Sequence, residues 1–123
     1  MMSIFRDNEN REHSLAGNHT IGLATPSRGA NQIEIWRGHM DADAATPPHA
    51  HDSEDVVLLL SGRRRATLDE KEIPYRAGDT MILPAHKVHQ IFADSRTEFV
   101  NATRIGGIVT LRDGEVLDLP WRE

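Results

Sequence analysis

The chain has 123 residues and a net charge of −5, with 38% hydrophobic, 27% charged and only 5% aromatic residues. That length suits one domain with a genuine core, since a chain of this size buries roughly two thirds of its unfolded surface. The acidic balance and the few aromatic platforms argue against a nucleic-acid partner, and the absence of cysteine excludes disulfides, thiolate-bound zinc and iron–sulfur clusters.

Residues 1–11 are polar, without the apolar stretch of a secretion signal, and nowhere do ~18 apolar residues run together. A cytoplasmic protein that neither spans nor enters a membrane is the expectation. Residues 1–18, broken by Asn8, Asn10, Gly17 and Asn18, read as a loose polar arm, and residues 19–123 as a single domain. Aliphatic and β-branched residues then recur in short runs at 20–24, 32–37, 56–60, 64–68, 80–83, 88–92 and 98–104. Turn signals lie between them, among them Pro47-Pro48, Ser61-Gly62, Asp69-Glu70-Lys71 and Ala77-Gly78-Asp79. A last hairpin over 107–119 is expected around Asp113-Gly114. Short strands at near-regular spacing, with no long helical periodicity, predict an all-β sandwich or barrel.

The run Val56-Val57-Leu58-Leu59-Leu60 is apolar on both faces of its strand. One face belongs to the core, and the other needs cover from the arm or a second subunit; a homodimer is the preferred expectation. The basic run Arg63-Arg64-Arg65 reads as a solvated or salt-bridged strand, the alternative being a contact to a ligand anion.

His49-Ala50-His51 places two imidazoles at i and i+2, which on an extended strand project to one face. Neutral imidazole binds several transition metals, and a carboxylate completes a mixed nitrogen and oxygen donor set. His49, His51, Asp55 and His89 are the candidate ligands of one divalent ion: Fe, Mn, Ni, Zn or Cu.

These residues resemble the cupins, whose motifs are G-x5-H-x-H-x3,4-E-x6-G and G-x5-P-x-G-x2-H-x3-N. The first is matched by His49, His51, Asp55 and Gly62, the second by Gly78, Pro84 and His89. Asp55 stands where the family usually has glutamate, its stem shorter by one methylene. Glu54 is adjacent but out of register, so Asp55 is preferred. His86 replaces the inner glycine of the second motif, Ala93 its asparagine, and Asp43 the leading glycine of the first.

The resemblance, carried by residues 32–104, implies a double-stranded β-helix, the jelly-roll barrel of two antiparallel sheets, with a metal at the base of a pocket. It implies a small metalloenzyme of dioxygenase, isomerase or decarboxylase type acting on an oxygen-bearing organic molecule. The alternative is a non-enzymatic small-molecule-binding or sensor protein, with or without metal. His86 is a candidate acid/base near the metal. Ile35, Arg64, Met81, Gln90, Ile91, Phe99 and Asn101 are expected around the substrate. His13, His19 and His39 lie outside both motifs; His13 is read as arm and His39 as exposed.

Overall fold

In the computed structural model, which describes residues 2–122, eleven strands and three short 3-10 turns carry the regular structure. The strands are β1 (Glu12–Leu15), β2 (Asn18–Ala24), β3 (Ile33–Met40), β4 (His49–His51), β5 (Asp55–Ser61), β6 (Arg63–Leu68), β7 (Lys71–Arg76), β8 (Thr80–Leu83), β9 (His89–Ala93), β10 (Thr97–Arg104) and β11 (Val109–Leu111). They form two antiparallel sheets, one of six strands ordered β1-β2-β3-β10-β5-β8, the other of five ordered β11-β4-β9-β6-β7. The fold is the all-β jelly roll expected from the sequence.

Strand parity sets the core. In β3, Glu34, Trp36, Gly38 and Met40 face inward, while Ile33, Ile35, Arg37 and His39 alternate outward. Trp36 lies opposite Asn101 of β10, which lies opposite Val57 of β5, which lies opposite Met81 of β8, so these four share the inner face. Met40, Ala66, Ile91 and Ala93 pack with Tyr75, Met81 and Phe99 in one cluster, and Trp36, Val109 and Leu119 in another.

Three local features differ from expectation. The segment expected as a loose arm contains β1, which pairs with β2 from Glu12↔Ile21 to Leu15↔Asn18. Strand β7 had no apolar signature, because most of its residues are exposed and Pro74 interrupts it; it survives as the edge of its sheet, where a missing N–H is harmless. At the C-terminal hairpin only Gly114 of the Asp113-Gly114 pair has positive φ, +90°. Its N–H donates to the Leu111 carbonyl at 2.9 Å, giving a three-residue loop closed by a glycine in place of a two-residue turn.

On β5 the inner face carries Asp55, Val57 and Leu59, while outward Leu58 and Leu60 are 39% and 46% exposed. The N-terminal segment does not cover them. It lies on the same outer face but toward β3, where Asp7 pairs with Arg37 at 2.9 Å, and Phe5 meets the guanidinium of Arg28.

Candidate metal centre and cavity

Register builds the histidine cluster. His49 of β4 is directly opposite His89 of β9, and His51 follows on the same face two residues along. Each of the three offers a ring nitrogen within 4.8 Å of the other two. Backbone carbonyls set the rings: His49 Nδ1 donates to Pro47 at 2.7 Å and His89 Nδ1 to Lys87 at 3.1 Å. That tautomer leaves Nε2 of both rings as a free lone pair, the usual outer support of a metal-ligating histidine. Burial holds the rings in the neutral, ligating form, pushing His51 down to about 3 and His89 to about 4, and lowering His49 as well. The donor set therefore fits a divalent transition metal.

Asp55 begins β5 on the facing sheet and is buried, whereas Glu54 beside it is exposed. One Asp55 carboxylate oxygen is 3.8 Å from His51 Nε2. Two ligands on neighbouring sites of a metal with bonds near 2.1 Å are themselves about 3.0–3.4 Å apart. The aspartate is thus slightly too far out, and it falls outside the 4.8 Å group formed by the imidazoles. Asn101 Nδ2 donates to both of its oxygens, at 3.0 and 3.3 Å. Burial pushes its pKa up to about 7 against the lowering effect of Asn101, and the nearby Glu34 carboxylate adds to the rise. With His51 neutral, the contact between the two is no ion pair. A cation in the site would favour the ionised carboxylate.

Two departures from the motifs become intelligible here. Asp43 and His86, each standing where the family has glycine, both have left-handed backbone, with φ of +69° and +66°. Aspartate and histidine are among the residues that tolerate this region best. His86 also donates its backbone N–H to the His51 carbonyl at 2.7 Å, pinning the loop before β9 to the histidine-bearing strand β4.

The inner face encloses a cavity of about 260 Å³. His49, His51, Asp55 and His89 line it, as do the expected Arg64, Met81, Ile91, Phe99 and Asn101. Three expectations are corrected. Ile35 points out of the barrel and Trp36 takes its place, because β3 pairs Trp36, not Ile35, with inward Asn101. Gln90 adjoins inward His89 and so faces away, its amide donating to the Thr46 carbonyl at 2.9 Å. His86 is exposed and lines, with Asp69, Glu70, Lys87 and His89, an outer groove and not the cavity that holds Asp55 and Arg64.

The cavity also recruits residues that no sequence pattern singled out: His13 to Leu15 from β1, and Leu117 to Trp121 from the chain after the last hairpin. Glu34 is a further buried carboxylate, 3.0 Å from Arg122 and accepting from Trp36 Nε1 at 3.2 Å. A second cluster of His19, His39 and Asp41 lies on the outer side. There His19 is already satisfied by Ser14 at 2.7 Å and Asp41 at 3.1 Å, so that network is complete without an ion.

Several known proteins are similar to this chain. Auxin-binding protein 5 of Zea mays is 23% identical over 103 residues, covering 73% of this chain and 69% of its own length. The polyketide cyclase RemF from Streptomyces resistomycificus superposes with a TM-score of 0.80 at 16% identity, over 100% of this chain and 92% of that one. Oxalate decarboxylase from Bacillus subtilis gives 0.74 at 17% identity, over 83% of this chain and 29% of that one. At such identities the likeness to the solved structures is one of fold. The Cupin domain family matches residues 36–102, more than half of the chain, and this protein belongs to the cupin family.

Proposed function

We propose that the protein is a small metal-dependent enzyme acting on an oxygen-bearing organic molecule, by oxygenation, isomerisation or decarboxylation. The observation that carries this reading is three neutral imidazoles converging on one wall of a largely apolar cavity. His49, His51 and His89 would hold one divalent transition metal, with Asp55 as a fourth donor after a shift of less than about 1 Å. Bound there with positions left open, such an ion acts as a Lewis acid toward a carbonyl or enolate, or holds a chelating substrate.

The chain's own groups shape the rest. Met81, Ile91, Phe99 and Trp36 exclude water around the substrate. Asn101 orients Asp55 and stabilises its ionised form. The test is elemental analysis of protein purified without a histidine tag: near-stoichiometric metal in the wild type and none in His89→Ala supports the reading. A metal-free protein after growth in supplemented medium would sink it.

A second reading, a binding protein without turnover, is favoured by the likeness to a protein named for binding auxin. Metal uptake with no consumption of substrate or O2 across diketones, catechols, keto acids and sugars would select it.

We also propose a homodimer joined through the outer face of the six-stranded sheet. Leu58, Leu60 and Ile82 form an apolar strip there, Ile82 being 63% exposed, and the N-terminal segment, which meets Arg37 toward β3 on the same face, leaves it uncovered. A two-fold interface uses one self-complementary patch on both subunits. Sedimentation equilibrium returning a monomer at tens of micromolar would overturn this assembly.

A further inference from the structure

Of the three consecutive arginines, the two outward ones behave as a solvated strand should. Arg63 is exposed, and Arg65 meets Asp94 at 2.8 Å and Glu72 at 3.4 Å. Arg64, between them, points into the barrel. It is 3% exposed and lines the cavity, and among the described residues no carboxylate lies within 4.0 Å of it. Its Nε donates to Thr97 Oγ1 at 2.9 Å, and its guanidinium lies 4.2 Å from the centre of the Phe99 ring. Nη2 is buried with no acceptor. Tyr75 is opposite Arg64 in register, and its buried phenol oxygen lies beside the guanidinium and can accept from it.

The molecule therefore pairs its exposed arginine with acids and leaves its buried one without any. Arginine stays charged in proteins, and a desolvated cation without a counter-charge is strongly unfavourable. A buried cation at a cavity wall, with no carboxylate beside it, describes a site for an oxyanion. Their position relative to the histidines follows from the ladder. On the neighbouring strand His89 is opposite Leu68 and Ala93 is opposite Arg64, so the two levels are four residues, about 13 Å, apart along β6. Apolar Ile91 lies between them on the inner face of β9.

We propose that Arg64, with Tyr75 beside it, anchors the carboxylate of the protein's small-molecule ligand, an acid whose apolar body lies between this anchor and the histidine cluster. The proposal rests on reading the cavity as a small-molecule site, and the anchor is set apart from the imidazoles. It makes binding of an acid depend on charge at Arg64 even in protein stripped of metal.

The experiment compares benzoate, phenylacetate and hexanoate with their uncharged amides by calorimetry, on the full chain treated with chelator and again after metal loading. At least one acid is expected to bind metal-free protein about tenfold or more tightly than its amide. Arg64→Met should abolish that preference while leaving amide binding in place, and Arg64→Lys should restore part of it. Equal affinity for each acid and its amide in the wild type, or no binding of any acid, overturns the proposal, as does an Arg64→Met protein that keeps the preference. If Arg64→Met fails to fold by circular dichroism, the wild-type comparison decides alone. Metal content measured on the same samples separates the two readings. An acid preference in a protein that takes up no metal leaves Arg64 standing and removes the metalloenzyme, whereas full metal uptake without the preference does the reverse.

Discussion

Acidifying the metal-free protein from pH 6.5 to 5 is expected to weaken it markedly. His51 and His89 are held near 3 and 4 by burial, with His49 also lowered, whereas in the unfolded chain all three titrate near the ordinary histidine value of 6.5. Below pH 6.5 the unfolded chain therefore binds protons that the folded one refuses, and folding loses stability as pH falls toward 4. Asp55 works in the opposite sense: raised from 3.8 to about 7, it keeps a proton in the folded state that the unfolded chain releases, which favours folding at lower pH.

Three histidines against one aspartate, with partly exposed His49 counting for less, leave a net uptake of about one to two protons on unfolding. That amounts to roughly 1.5–3 kcal/mol per pH unit, so about 2–4 kcal/mol between pH 6.5 and 5. Set against a typical total of about 5–15 kcal/mol, the loss is large. Urea unfolding with chelator at pH 7.5, 6.5, 5.5 and 5.0 reads it directly as a falling midpoint at constant slope. A midpoint that stays level or rises on acidification would refute the reasoning, since it would mean the imidazoles are solvated or Asp55 dominates.

Asp55→Ala is expected to weaken metal binding about 10- to 100-fold while leaving it measurable, in contrast to the loss caused by His89→Ala; unchanged affinity in a competition titration would show that the histidines alone hold the ion. Gly62→Ala should destabilise the fold by about 2 kcal/mol or more, because Gly62 has φ of +85° and an added Cβ would collide with the backbone carbonyl of Arg96; a melting temperature within a degree of wild type would contradict that. Leu58→Glu places a charge on the exposed outer strip of β5 and should convert the proposed dimer to monomer in light scattering without loss of strand content; an unchanged mass would place any interface elsewhere.

The histidine cluster was legible because its cause is local and repetitive. A strand turns successive side chains to opposite faces, so His49 and His51 had to share one, and the spacing of Gly78, Pro84 and His89 matched a known frame. The same rule, applied strictly, excludes Gln90 once His89 faces inward. Choosing Ile35 over Trp36 was a different failure: alternation divides 33–40 into two faces but does not say which is buried, and only pairing with β10 decides it.

Sequence by itself determined the all-β class and the strands that carry the three histidines, through short-range periodicity, and the barrel through motif spacing that resembles a known family. Tertiary structure alone decided what surrounds them, because cavity walls are drawn from segments far apart in the chain. Leu117 to Trp121 reach the cavity from one end of the chain, His13 to Leu15 from the other, and Arg64 is isolated from every acid its neighbours use. The sequence placed Arg64 near the substrate, but only the fold shows that the pleat buries it without an acidic partner while Arg65 meets two acids.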